Sequence, residues 1–168
     1  MRLNENNNIF VYDGETEVPH FLDKVIIGDN VRTIKEKAFR GRQIETVEIP
    51  SNVETICTGA FRNCFSLRTV IFRNGCTRID QDAFYSCENL ESVVLPATLC
   101  SIDGSAFEDC TKLQQLVLPN KLSYIGNYAF MNTGIKRLIL PDSLNEHKLS
   151  NYFNDTGDIQ EVFFPDKF

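Results

Sequence analysis

The pair Ala-Phe recurs at a nearly constant spacing, and this spacing constrains the fold more than any other feature of the chain. Successive pairs are separated by steps of 22, 23, 23 and 23 residues. Chains that repeat at intervals of this order build elongated arrays in which each unit packs on its neighbours. The sequence therefore predicts a repeat solenoid. The pairs are Ala38-Phe39, Ala60-Phe61, Ala83-Phe84, Ala106-Phe107 and Ala129-Phe130.

Each repeat opens with the pattern apolar-x-x-apolar-x-apolar. Repeats start at residues 22, 44, 67, 90, 113 and 135, and a half-repeat starts at residue 159. In the third repeat, period-2 alternation places Val70 and Phe72 on one face of a strand, and Thr69 and Ile71 on the other. The pattern predicts one short parallel strand per repeat, with one face of each strand in the core.

The segment after the strand predicts a return across the core. Five prolines follow the strand directly, at a position where the missing N–H ends the ladder without leaving a gap inside it. Apolar residues three apart then follow, as in Leu99 and Ile102. This spacing does not fit one long strand, so we expect the chain to turn and to return by an irregular or short helical segment. The prolines are Pro50, Pro96, Pro119, Pro141 and Pro165.

The two ends of the chain depart from the repeat. Residues 1–21 are predicted to form an N-terminal cap, in which residues 9–12 form a strand that runs into a turn, and residues 22–168 form the array. The repeat that starts at Ile135 is degraded, since His147 stands where other repeats have Ile. It is either a C-terminal cap or an irregular repeat. In the second case the strand that starts at Ile159 leaves an edge for a longer array or for another copy.

The pattern L-x-x-V-x-L-P-x-x-L-x-x-I-x-x-x-A-F-x-x-C, which covers residues 22–168, resembles the BspA-type (Treponema pallidum-like) class of leucine-rich repeat. Proteins of this class are mostly bacterial surface molecules, and several are adhesins. The resemblance implies a leucine-rich-repeat solenoid, a protein or surface ligand, and a location at the cell surface or outside the cell. Residues 1–12 lack the apolar run of a signal peptide, so we also keep a cytoplasmic location as an alternative.

No pattern in the sequence indicates catalysis, a cofactor or a metal site. His20 and His147 stand away from any nucleophile motif, and the six cysteines form no CxxC pair. Three cysteines share one repeat position, which predicts buried, reduced thiols with a common packing role; they are Cys64, Cys87 and Cys110. A net charge of -6 with scattered Lys and Arg disfavours nucleic acid, and no apolar run is long enough to span a membrane.

Alignment of the repeats gives one candidate binding surface. The outward residue between the two buried strand positions is aliphatic or aromatic in every repeat except at Glu48, and the neighbouring outward position is polar. The preference of strands for β-branched residues is one explanation of such a row. The other is an interaction surface, which an apolar patch with a polar border indicates. We call this set the outer row: Ile26, Glu48, Ile71, Val94, Val117, Ile139 and Phe163.

The sequence thus predicts a non-enzymatic module that binds a protein or a surface ligand, and the resemblance implies adhesion as its cellular role. The predicted binding residues are Ile71, Val94, Val117, Ile139 and Phe163. The alternative is a structural segment of a longer array that associates with itself through its C-terminal edge strand.

Overall fold

The computed structural model describes residues 9–22, 24–144 and 159–163, and within them the chain forms a parallel β-solenoid without a helix. The degraded part of the repeat at Ile135, including His147, lies outside the described residues. The strands are β1 (Ile9–Tyr12), β2 (Lys24–Ile27), β3 (Thr33–Ile34), β4 (Thr46–Ile49), β5 (Thr55–Ile56), β6 (Thr69–Phe72), β7 (Arg78–Ile79), β8 (Ser92–Val94), β9 (Ser101–Ile102), β10 (Tyr124–Ile125), β11 (Arg137–Ile139) and β12 (Glu161–Phe163).

The longer strands stack in parallel along one side of the solenoid in three hydrogen-bonded groups, which we together call the long-strand sheet. Strand β1 pairs with β2, β4 with β6, β6 with β8, and β11 with β12. In β6, Val70 and Phe72 are buried as the alternation predicts, and the register places Glu48, Ile71 and Val94 side by side. The predicted strand and its buried face are therefore confirmed in these repeats.

One predicted strand is absent. Residues 113–118 keep the alternation of buried and exposed side chains but pair with neither β8 nor β11. The prediction of a paired strand in every repeat was therefore wrong for this repeat. The local sequence offers no physical reason, because Leu113, Leu116 and Leu118 fit the repeat pattern and are buried.

A second sheet, which the sequence did not predict, runs along the return side of the solenoid. It consists of β3, β5, β7, β9 and β10, each two residues long, paired in one continuous parallel order. We call it the short-strand sheet. The second residue of each strand is an isoleucine that points into the core: Ile34, Ile56, Ile79, Ile102 and Ile125.

The segment that carries each Ala-Phe pair is irregular, and its hydrogen bonds explain why no helix is needed. Phe84 N donates to Ala106 O of the next repeat (2.8 Å), whereas Tyr85 N donates to Asp82 O of its own repeat (3.0 Å). Left-handed backbone two residues before and after the phenylalanine, at Asp82 (φ 57°) and Ser86 (φ 52°), makes this alternation possible. The backbone groups are thereby satisfied both within and between repeats.

The repeated phenylalanines form a continuous stack through the core, as the sequence predicted. Adjacent rings are nearly parallel, with centroids 4.9, 5.2, 5.2 and 6.0 Å apart along the chain. The Tyr12 ring of β1 contacts Phe39 at the end of the stack in a tilted arrangement, with centroids 5.0 Å apart and an interplanar angle of 59°. The five phenylalanines are at most 1% exposed and hold successive repeats together: Phe39, Phe61, Phe84, Phe107 and Phe130.

The cysteine ladder is buried, as predicted, and its thiols have hydrogen-bond partners. Each thiol donates to the phenylalanine carbonyl of the preceding repeat: Cys64 Sγ to Phe39 O (2.9 Å), Cys87 Sγ to Phe61 O (3.2 Å) and Cys110 Sγ to Phe84 O (3.3 Å). All six cysteines are free. Burial raises the pKa of the Cys76 thiol to about 12 and raises the pKa of Cys87 and Cys110 as well. These thiols stay protonated at neutral pH.

This burial predicts a graded reaction with a thiol reagent, because thiolate and access are both required. Exposed Cys100 should react first and half-buried Cys57 more slowly, whereas the four buried thiols should react only on unfolding. The reaction course of the parent and of a Cys100→Ser variant checks this, and the variant should lose the fast phase. The free energy of unfolding should also fall as pH rises above 9.0, the ordinary pKa of a thiol, towards 12, because only the unfolded thiols then ionise.

Candidate protein-binding surface

The structure places the outer row on the solvent side of the long-strand sheet. Val94, Val117 and Ile139 are 52%, 83% and 60% exposed. Ile26 and Phe163 are exposed as well, whereas Ile71 is half-buried. The predicted outward orientation is therefore confirmed. A role of these residues in binding stays a prediction.

The row continues into β1, which the sequence analysis had assigned to the cap. Val11 pairs in register with Ile26, and its side chain is exposed. The alternation of residues 9–12 already indicates that Val11 points outward. Its place in the outer row could not be predicted, because residues 9–12 precede the first repeat and have no position in the repeat pattern. The exposed apolar row is thus one strand longer than predicted.

The border of the outer row carries ion pairs that join adjacent repeats. Arg73 Nε lies 2.6 Å from Glu48 Oε1, and Arg137 Nε lies 2.5 Å from Glu161 Oε2. The Arg137 guanidinium also lies over the Phe163 ring, 5.4 Å from its centroid. Exposed pairs of this kind contribute roughly 0–1 kcal/mol to stability. Their main consequence is that they link neighbouring repeats across this face.

The sheet surface is not flat where the strand at residues 113–118 is missing. A depression of about 540 Å³ gathers Val117, Ile139 and Phe163 of the outer row, with Leu118 and Pro141 beside them. A second, of about 660 Å³, lies on the other side of the same segment. The apolar lining of this depression would suit an apolar side chain of a binding protein.

No group of three or more His, Cys, Asp or Glu side chains among residues 9–22, 24–144 and 159–163 is placed to hold a metal ion. None of the described segments forms a helix with the length and hydropathy of a membrane span.

The comparisons with known proteins agree with this architecture. The family model described as BspA type leucine rich repeat region matches six copies, over residues 20–110 and 77–168. The crystal structure of a T. pallidum leucine-rich repeat protein is similar with a TM-score of 0.71 and 25% identity, over 93% of this chain and 69% of that one. Comparison with curated protein sequences gives no significant match.

Two further leucine-rich repeat structures share the fold. One, from Eubacterium ventriosum, has a TM-score of 0.55 and 23% identity, over 84% of this chain and 46% of that chain. The other, from Bacteroides ovatus, has a TM-score of 0.51 and 20% identity, over 86% of this chain and 48% of that chain. The chain thus spans about half the length of these two proteins.

Proposed function

Since this chain belongs to the BspA type leucine rich repeat family, we propose that it is a non-enzymatic protein-binding module and that the outer row is its binding surface. Membership of the family suggests a protein–protein interaction module in general terms. Adhesion at a cell surface is the cellular role that we propose for that binding.

The recurrence of exposed apolar side chains at one strand position is the observation that supports this proposal. Of the eight positions from Val11 to Phe163, seven are apolar and one, Glu48, is charged. Strand propensity alone does not require apolar residues here, because the neighbouring outward positions on the same strands are Thr46, Thr69 and Ser92. Monomeric proteins rarely expose a contiguous apolar patch of this kind without an interaction to explain it.

The double change Val94→Lys and Val117→Lys tests the surface. Both side chains are exposed, so the free energy of unfolding should change by about 0.5 kcal/mol or less per site. Affinity for a protein ligand recovered with the parent chain should fall by at least about tenfold, because central apolar contacts dominate interface energies. Titration of that ligand and thermal unfolding of each variant are the measurements.

The matched control places the same charges on the other sheet. Thr33→Lys and Thr55→Lys change outward positions on paired strands of the short-strand sheet, so they carry a similar loss of strand propensity. This control should bind the ligand as the parent does. If the Val94 and Val117 variant binds like the parent, or if both variants lose affinity equally, the outer row is not the binding surface.

A second candidate function is self-association through the C-terminal edge. Val162 in β12 is 37% exposed, whereas its equivalent Leu138 in β11 is fully buried. Among the described residues no strand pairs with the far side of β12. A second copy or further repeats would bury the Val162 side chain and pair with the far side of β12. The change Val162→Lys should then reduce concentration-dependent light scattering, while an unchanged, concentration-independent signal in parent and variant argues against this function.

A further inference from the structure

The long-strand sheet is open between β8 and residues 113–118, where it has backbone groups without ladder partners. In the preceding repeat, Arg68 O accepts bonds from Glu91 N (2.9 Å) and Ser92 N (3.1 Å) of the next repeat. Within the described parts of the chain, Glu91 O receives no such bond, and neither Gln114 N nor Gln115 N, the equivalent donors of the next repeat, makes one. Both sides of the opening therefore present strand edges.

The opening has the shape of a wedge that is closed on the opposite side of the core. Strands β9 and β10 of the short-strand sheet remain paired between the same two repeats. The rings of Phe107 and Phe130 lie 6.0 Å apart, against 5.2 Å for Phe84 and Phe107. The two repeats thus diverge from the short-strand sheet through the core towards the long-strand sheet.

The core side chains on either side of the wedge keep a small exposed fraction. Val93 and Leu116, which face the core on either side, are 8% and 7% exposed, whereas Val70 and Leu138 at the equivalent position are fully buried. The resulting groove has a volume of about 660 Å³. An aliphatic side chain placed there would complete the burial of Val93 and Leu116.

The electrostatics of the groove favour a carboxylate at one end. Glu91 is paired with Arg68 at 2.9 Å. Lys112 donates to the amide oxygen of Asn89 (2.7 Å) and belongs to none of the ion pairs formed by the described residues. Both Glu91 and Lys112 line the groove. Its unmatched charge is therefore the ammonium of Lys112, at the end where the strand segment begins.

We propose that an extended segment of a partner polypeptide enters this wedge and adds to β8 as a parallel strand, with an acidic residue near its N-terminal end and aliphatic residues after it. Only a polypeptide backbone supplies N–H and C=O groups at the spacing of a strand edge. The acidic residue would meet Lys112, and alternate aliphatic residues would meet the core at Val93. This inference rests on the proposed function only in taking a polypeptide as the partner.

A fluorescent peptide with the sequence LESVVLP, that of residues 90–96, is a suitable probe because it has a glutamate followed by aliphatic residues. Its anisotropy on titration with the full chain should saturate. A peptide N-methylated at alternate residues, which lacks N–H donors on one edge, should not bind. Absence of saturable binding of the parent peptide, or equal binding of the N-methylated one, would overturn the proposal.

Charge reversal tests the position of the acidic residue. Lys112→Glu should weaken binding of the peptide by about three- to tenfold, the range expected when an exposed attractive charge becomes repulsive. Lys121→Glu is the matched control, since Lys121 is also exposed but does not line the groove, and it should bind as the parent does. Equal affinities of the two variants would contradict a carboxylate at Lys112.

Hydrogen exchange separates this site from the C-terminal edge. Bound peptide should protect amides of residues 91–94 and 114–118. Protection confined to residues 160–163 would show strand addition at β12 and overturn the wedge proposal. If the peptide protects the wedge and the Val94 and Val117 variant binds its protein ligand normally, the wedge proposal stands and the outer-row proposal fails. If the peptide does not protect the wedge and that variant loses affinity for its ligand, only the wedge proposal is rejected.

Discussion

Replacing Phe107 with alanine is expected to lower the free energy of unfolding by about 3–5 kcal/mol, as truncations of buried phenylalanines do. The ring is fully buried and stacks on Phe84 and Phe130, so the change opens a cavity between repeats and removes both ring contacts. For a chain of this size the melting temperature should fall by roughly 6–20 °C. Thermal and urea unfolding followed by circular dichroism measure the effect.

Phe65→Ala is the matched control for this prediction. Phe65 is the same residue type in the same kind of repeat, but its side chain is 51% exposed. Its truncation should change the free energy of unfolding by about 0.5 kcal/mol or less. Similar losses for Phe65→Ala and Phe107→Ala, or no loss for either, would contradict the stacked core.

Gly75→Ala is expected to destabilise the chain by about 3 kcal/mol or more, above the usual range for overpacking. A Cβ at Gly75 would lie 1.9 Å from the carbonyl oxygen of Ser51 in the preceding repeat. The atom it would meet belongs to the backbone, so no side-chain rotation relieves the clash. The two repeats would have to separate, and denaturant unfolding should show a lower midpoint.

The control for this second prediction is Gly41→Ala. Gly41 has a left-handed φ of 70°, and a Cβ there would meet nothing within 4 Å. Its cost is limited to the backbone preference, about 1–2 kcal/mol, and non-glycine residues such as Asn63 adopt left-handed backbone at the equivalent position. If Gly75→Ala costs no more than Gly41→Ala, the repeats are not as closely stacked at Ser51 as described.

The sequence predicts the parts of this fold that depend on periodicity. The Ala-Phe spacing identifies the stacked core, since equivalent residues in a solenoid lie above one another, and the alternation within each strand separates Val70 from Ile71. The outward orientation of Val94 and Val117 follows from the same alternation. Each of these features repeats, so several copies support one inference.

Features without a periodic signal could not be predicted. The strands of the short-strand sheet, such as those that contain Ile56 and Ile79, are only two residues long. An alternation of apolar and polar residues cannot be recognised over so short a segment. The opening at residues 113–118 was missed because the leucines there match the pattern of the paired strands. Whether a strand pairs depends on the relative placement of two repeats, which the local pattern of one repeat does not contain.

The binding role of the outer row is the central claim, and site-specific photo-crosslinking tests it most directly. A photoreactive residue is placed at Val94 or Val117, and at Arg78 or Ser101 of the short-strand sheet as controls, and each chain is irradiated with the same purified protein ligand. We expect crosslinks from Val94 and Val117 and none above background from Arg78 and Ser101. Crosslinks from the short-strand sheet that equal or exceed those from the outer row would contradict the account.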